Sequence, residues 1–297
     1  MVEKIKVTIG LCVKNAESTI REALHSIFEQ DFPHDFIELI IVDGYSKDKT
    51  LPIIQEELTQ TSIKFKIFQE NKGIGYARQL VVNNATGDYI IWVDGDMVLP
   101  KNFVRTQVEF MEQNPNVGIG KARYGLHSES SLPAILEDVE FVVSFMNPGR
   151  VSSKTLGTSG CIYRTKALKQ AGGFDENIKK AGEDMDAEYK IQANGWELYV
   201  TPAIFYERRR KTWRSLWDEY FWLGYGAYHI FRKQKKLAEH YKMFLPIMLI
   251  TMLLRSCFAY KLLHRKSVFL LPLHNIFKRT AWIIGFLNAA RISICRT

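Results

Sequence analysis

The sequence predicts an α/β protein with a mainly parallel sheet flanked by helices, followed by a helical C-terminal region of different character. Three observations carry this. Short apolar runs alternate with helix-length amphipathic segments through the first hundred residues, the pattern of parallel strands joined by crossover helices. The runs themselves, such as Ile37 to Val42, are too apolar to have a wet face. Charge then divides the chain: 18 Lys and Arg face 4 Asp and Glu from Phe205 onward, against 22 and 28 before it, within a net charge of +8. An acidic front and a basic back imply two different jobs.

A chain of 297 residues has room for one large α/β domain and an appendage. Cys12, Cys161, Cys257 and Cys295 are far apart and form no Cys-x-x-Cys pair. That argues against a zinc site or a disulfide framework and for a reducing compartment. No signal-peptide pattern is expected, because Met1 to Lys6 lead straight into a strand.

Val7–Val13 reads as the first buried strand. A turn from Asn15 to Ser18 leads to a helix over 20–30, with Ser18 or Thr19 as its cap and Ile20, Leu24, Ile27 and Phe28 on one face. A second strand over 36–42 ends in the turn-rich loop Asp43 to Thr50. A helix over 51–59, a strand over 63–69, a helix over 73–85 and a fourth strand over 89–93 follow. Gly73-Ile74-Gly75 begins a dinucleotide-binding pattern, but Arg78 takes the third glycine's place and no matching acidic residue follows on a strand. Neither a P-loop nor a nucleophile elbow is present. Helices over 100–114 and 132–144 enclose an irregular stretch with Gly118, Gly120 and Gly125. Glycine-rich segments 157–160 and 172–175 precede a helix that opens at Gly182-Glu183-Asp184-Met185-Asp186 and ends near Asn194-Gly195-Trp196.

Ligands of parallel sheets bind outside the carboxyl ends of the strands, so Asn15, Asp43 and Asp94 are expected at one rim. The central candidate is Asp94-Gly95-Asp96, delivered by the fourth strand. Two carboxylates flanking a glycine suit a hard divalent cation, Mg²⁺ or Mn²⁺, with positions open to phosphate oxygens. The competing reading is an acidic turn closing a strand. A calcium loop does not fit, because Val98 and Pro100 stand where further oxygen ligands should follow. Glu183, Asp184 and Asp186 also read as dipole partners of a helix start.

Together these stretches resemble the family-2, GT-A-fold inverting glycosyltransferases, over roughly residues 7–217. Val42-Asp43 to Thr50 is similar to that family's Val-Asp-Asp-Gly-Ser-Thr-Asp-Gly-Thr loop, with Gly44 and Tyr45 departing from it. Asn71-Lys72-Gly73 through Ala77-Arg78, Asp94-Gly95-Asp96, Gly172-Gly173-Phe174-Asp175 and Glu183-Asp184 follow in family order. The resemblance implies a Rossmann-like mixed sheet, with a nucleotide-sugar half over 1–100, an acceptor half over 101–210 and a separate region over 211–297. It implies a UDP- or GDP-sugar donor, with Asp43 on its base or ribose and the loop carrying Asn15 and Glu17 walling the nucleotide pocket. Asp94 would lie near the ribose and Asp96 would hold the metal bridging the diphosphate. Arg78 and Lys72 would assist, or pair with the carboxylates as structural ion pairs. Displacement at the sugar carbon needs one general base. The resemblance points to Asp184, then Glu183, then Asp186. Nucleotidyl transfer and a binding-only membrane scaffold are the competing functions.

The tail carries Arg208-Arg209-Arg210-Lys211, then Trp213, Trp217, Tyr220, Phe221, Trp222, Tyr225 and Tyr228, then a cluster over 232–236. Apolar runs over 243–260, 268–273 and 281–294 follow. Their length argues against nucleic acid as partner and for an anionic membrane surface, with aromatics at the interface and cations on headgroups. The run over 243–260 barely reaches spanning length and contains Arg255. Helices lying on the cytoplasmic face are therefore expected ahead of a span, with a helical subdomain packed on the core as the alternative. Membrane seating points to a glycan, lipid-linked glycan or polyprenyl phosphate as acceptor.

Overall fold

The computed structural model describes residues 5–127, 131–151, 155–233 and 245–294, with the side chains of 233, 245–249 and 294 excepted. The basic residues Lys235, Lys236 and Lys242, the start of the 243–260 run and Cys295 lie outside the described residues. Strands β1 (Val7–Val13), β2 (Ile37–Asp43), β3 (Lys64–Gln69) and β4 (Tyr89–Val93) are all parallel, in the order 3-2-1-4. Helices α1 (Ile20–Phe28), α2 (Thr50–Glu57) and α3 (Ile74–Asn84) make the crossovers. Thr19 takes the N-cap position of α1 without capping a helix N–H through its side chain; its hydroxyl donates to the Ala16 carbonyl instead. Val13 pairs with Asp43 and Leu11 with Val93, so β1, β2 and β4 finish side by side.

Beyond β4 the sheet becomes mixed. After the two-residue β5 (Met97–Val98) and helix α4 (Phe103–Gln113) comes β6 (Val117–Tyr124). The two-residue β7 (Gly149–Arg150) pairs with β9 (Glu197–Glu207), as β5 does. Strand β8 (Cys161–Arg164) runs antiparallel between β4 and β6, and β9 lies parallel to β6. The stretch expected to be irregular is thus strand β6. Its glycines hide the alternation because neighbours crowd it: a Cβ on Gly118 would come 2.7 Å from Trp196 Cβ, and one on Gly120 2.7 Å from Thr201 Cγ2. Helices α6 (Thr165–Gln170) and α7 (Glu183–Ala193) complete this compact unit. Its core holds Ile9, Leu11, Leu39, Ile41 and Ile91, all fully buried, each contributing about 1.5–3 kcal/mol by removal from water. Trp92 meets Phe174 edge-on, with ring centroids 5.3 Å apart.

A second compact unit gathers Leu126–Met146, Lys180–Gly182 and Arg208–Thr297. It contains α5 (Leu132–Ser144), α8 (Trp213–Lys233), α9 (Leu245–Leu263) and α10 (Leu271–Ile294). Helix α5, read from sequence with the residues around it, packs here with the C-terminal helices. Leu136 and Val139 join Ala259, Val268 and Leu271 in one apolar cluster. Gly224 of α8 abuts the Trp282 carbonyl of α10, and Gly285 abuts the Phe221 carbonyl, so the two backbones nearly touch where any side chain would collide. No described helix is long and apolar enough to cross a membrane.

Candidate active site

The rim where β1, β2 and β4 end is built from two interlocked loops. Asn15 adopts a left-handed conformation, φ 52°, which its short polar side chain tolerates. Its Oδ1 accepts the Lys47 N–H at 2.8 Å, and its own N–H donates to Ser46 Oγ at 2.9 Å. Glu17 accepts the Lys49 N–H at 2.9 Å. The two loop residues expected to wall the nucleotide pocket therefore bind the β1–α1 loop to the β2–α2 loop. Asp43 is fully buried, accepting from the Ser46 hydroxyl at 2.5 Å and Gln69 Nε2 at 3.0 Å. Tyr45, one of the two departures from the family loop, takes a left-handed φ of 54° and is exposed.

The start of α3 explains the two glycines that suggested dinucleotide binding. The Ile74 and Gly75 N–H groups donate to the carbonyls of Lys179 and Ile178, at 3.3 and 3.0 Å. A Cβ on Gly75 would run into the Asp175 carbonyl. The helix N-terminus is thus spent on the 175–179 loop, not held open for a phosphate. Lys72 is exposed, with Nζ 4.0 Å above the Tyr76 ring.

One turn later the same helix delivers Arg78 to the centre of the acidic residues. Its Nη1 lies 2.9 Å from Glu183 Oε1, and its Nη2 lies 4.0 Å from Asp94 Oδ1. Trp92 and Phe174 flank the guanidinium at 5.6 and 6.0 Å. Burial works against the Arg78 charge, but the carboxylates of Glu183 and Asp94 outweigh it and hold the group above its ordinary pKa. Burial pushes the Glu183 carboxyl up to about 7, with Arg78 pulling it down and Asp184 raising it. Arg78 Nε and Glu183 Oε2 are buried without a hydrogen-bond partner. Burial also pushes the thiols of Cys12 and Cys161 up to about 12, so neither is a thiolate nucleophile near neutrality.

Asp94 and Asp96 occupy the turn after β4, each half-buried. Gly95 between them packs on the β1–α1 loop, where a Cβ would come 3.0 Å from Val13 and 3.2 Å from Ala16. The Ser159 hydroxyl donates to Asp94 Oδ2 at 2.5 Å. Helix α7 then presents its acids on different faces. Glu183 turns in to Arg78, buried Asp186 pairs with Lys190 at 2.5 Å, and half-buried Asp184 stands with Oδ2 3.7 Å from the position of a Gly157 Cβ.

Sequence reasoning missed Glu188. It is buried, and its carboxylate accepts the N–H groups of Leu156 at 3.0 Å and Gly157 at 2.8 Å. Burial pushes it up to about 8, helped by the Asp184 charge. The signal was its spacing: Asp184 and Glu188 are four apart and share a helix face. Glu188 thereby fixes the loop that offers Gly157 to Asp184 and Ser159 to Asp94.

The donor set after β4 fits a hard cation. Both side chains supply carboxylate oxygens and keep access to solvent, with Ser159 on Oδ2 of Asp94 and Arg78 Nη2 4.0 Å from its Oδ1. The triad of buried Glu137 and His274 with half-buried Glu140 in the second unit is different, since Lys278 Nζ already lies 2.8 Å from both glutamates.

A mixed, mainly parallel sheet with acidic residues at the ends of β2 and β4 defines a GT-A-like protein. The mannosyltransferase PcManGT from Pyrobaculum calidifontis, solved with GDP-Man and Mn²⁺, shares the fold at TM-score 0.59 and 21% identity, covering 98% of this chain and 79% of that one. Staphylococcus aureus TarS 1–349 with UDP-GlcNAc does so at TM-score 0.54 and 18% identity, covering 95% and 89%. The chain belongs to glycosyl transferase family 2, whose model matches residues 8–170. Among curated relatives, the S. aureus poly(ribitol-phosphate) β-N-acetylglucosaminyltransferase TarS is 24% identical over 210 residues, 70% of this chain and 36% of its own length. The poly-β-1,6-N-acetyl-D-glucosamine synthase of Staphylococcus epidermidis is 23% identical over 254 residues, 81% of this chain and 61% of its own. The chain thus spans less than two thirds of these relatives. The family match also stops short of Glu183, Asp184 and Glu188.

Proposed function

We propose that the protein transfers a sugar from a nucleoside diphosphate donor, a UDP- or GDP-sugar, to an acceptor with inversion at the sugar carbon. The observation that carries this is Arg78, a buried cation joining the carboxylate after β4 to the carboxylate that opens α7. Donor-side and acceptor-side acids, about ninety residues apart in sequence, are thereby held at one place. Asp43, fixed by Ser46 and Gln69, is the donor's base or ribose contact. Asp96 and Asp94 are the residues that would hold Mg²⁺ or Mn²⁺, whose chemistry is to take up charge on the departing diphosphate.

Asp184 acts as general base. Glu183 is committed to Arg78 and Asp186 to Lys190, whereas Asp184 keeps solvent access. The acceptor oxygen attacks the anomeric carbon as the bond to the diphosphate oxygen breaks, and the hydroxyl proton passes to the Asp184 carboxylate. The acceptor is a glycan or a lipid-linked glycan.

UDP-N-acetylglucosamine and GDP-mannose, offered with Mn²⁺, test the reaction by the product released. Nucleoside diphosphate is expected; pyrophosphate would mean nucleotidyl transfer. Asp184→Asn keeps shape and removes basicity, so donor binding should survive while transfer falls roughly 10²–10⁴-fold. Near-normal transfer by Asp184→Asn, with loss in Glu183→Gln, would move the base to Glu183.

A further inference from the structure

Helix α10 buries polar side chains and exposes aliphatic ones. Its buried side carries His274, Asn275 and Lys278 beside Leu271, Ala281 and Ala289, and its exposed side carries Leu273, Ile276, Ile283, Ile284, Leu287 and Ile292. A helix whose outer face meets water shows the reverse arrangement. Helix α5 answers part of this polar face: His274 Nε2 lies 2.7 Å from Glu137, and Lys278 Nζ 2.8 Å from both Glu137 and Glu140, while His274 Nδ1 and Asn275 Oδ1 are buried without a hydrogen-bond partner. Burial raises the Glu137 carboxyl, but Lys278 and His274 outweigh it and hold that group well below the usual carboxylate range. The Lys278 and Glu137 charges are therefore inside. Helix α9 shares only the exposed half of this arrangement, presenting Ile250, Leu253, Leu254, Phe258 and Leu262 while burying Met252, Ser256 and Ala259. The α9 positions recur at three- and four-residue intervals, and those of α10 fall in two groups, Leu273 with Ile276 and Ile283 with Ile284 and Leu287, so each helix carries an exposed apolar stripe.

We infer that the aliphatic stripes of α9 and α10 dock in the plane of an anionic lipid surface. Charge names the occupant. Between 245 and 294 there are seven Lys and Arg and no Asp or Glu. Lys261, Arg265 and Lys266 are exposed where α9 ends, and Arg291 is exposed beside the α10 stripe. A second copy would set this cationic surface against itself, whereas anionic headgroups complement it and acyl chains accept the stripes. With no described helix long and apolar enough to cross, the contact is in-plane. The inference does not depend on the identity of donor or acceptor.

Flotation of the full chain with phosphatidylcholine vesicles, with and without phosphatidylglycerol, tests it. Wild type should float with the anionic vesicles and leave them only partly in high salt, because insertion outlasts screening. Leu254→Glu/Ile284→Glu/Leu287→Glu changes exposed side chains only, so its far-UV spectrum and melting should match wild type while vesicle partitioning falls at least about tenfold. Lys261→Gln/Arg265→Gln/Lys266→Gln should weaken binding to anionic vesicles alone. Equal flotation of the Glu variant and wild type would overturn the inference. So would a wild type that floats with neither vesicle and is instead a dimer that the Glu variant dissolves.

Discussion

Arg78 is the residue on which the acidic rim depends. Buried between Glu183 and Asp94, it offsets two carboxylates that would otherwise repel each other in a poorly solvated place. Above pH 7, Arg78→Met should lower stability by about 3–5 kcal/mol, read by chemical denaturation, because it leaves the ionised, buried Glu183 without a partner. The loss should grow with pH. Glu183 holds its proton up to about 7 when folded, against an ordinary 4.5, so its stabilising share is full below 4.5 and is lost as pH rises through 7. Without Arg78 that loss deepens. Glu188 gives a second window: folded it titrates near 8, so stability falls as pH rises from 4.5 to 8. Glu188→Gln keeps an acceptor for the Leu156 and Gly157 N–H groups, and its unfolding midpoint should drop less than wild type's between pH 5 and 9. Single residues were legible in the sequence where they were acidic and followed a strand, as Asp43, Asp94 and Asp96 do. Glu188 and Ser159 were not, because their meaning lies in a loop that only the folded chain brings to them.

At the scale of elements, most of the legible parts were those that bury both faces. Strands β1, β2 and β4 are largely apolar and buried, and their crossover helices keep a helical period; the sheet-edge strand β3, with Lys64, Lys66 and Gln69 among its apolar residues, is mostly exposed. Strand β6 escaped because Gly118 and Gly120 make room for Trp196 and Thr201, replacing the expected side chains with close contact. Helix α3 shows the converse, where a glycine pair invites a ligand but serves packing. Exchanging a helical glycine for alanine ordinarily gains about 1 kcal/mol. Gly75→Ala should instead destabilise, since the new methyl meets the Asp175 backbone carbonyl, which has no rotamer by which to move. Thermal melting of that variant reads the sign. The orientation of α10 was equally hidden, because a sequence shows a stripe without showing which side of it is buried.

Across the whole molecule, the division between acidic front and basic back was visible in charge alone, and the structure describes two compact units. The chain does not honour that division linearly. It changes unit after residues 125, 146, 179, 182 and 207, and α5 leaves the sheet-bearing part of the sequence to meet α10. The Glu137–Lys278 contact is the consequence to follow. A tail of this kind cannot be traded between lineages as a cassette spliced on after the last strand. The recipient would keep α5 with two carboxylates facing a helix that no longer answers them. Any ancestral exchange of the basic region must have carried residues near 137 and 140 along with it, or changed them to match. Inheritance at α5 should therefore follow the tail, although its position in the sequence lies between the strands β6 and β7.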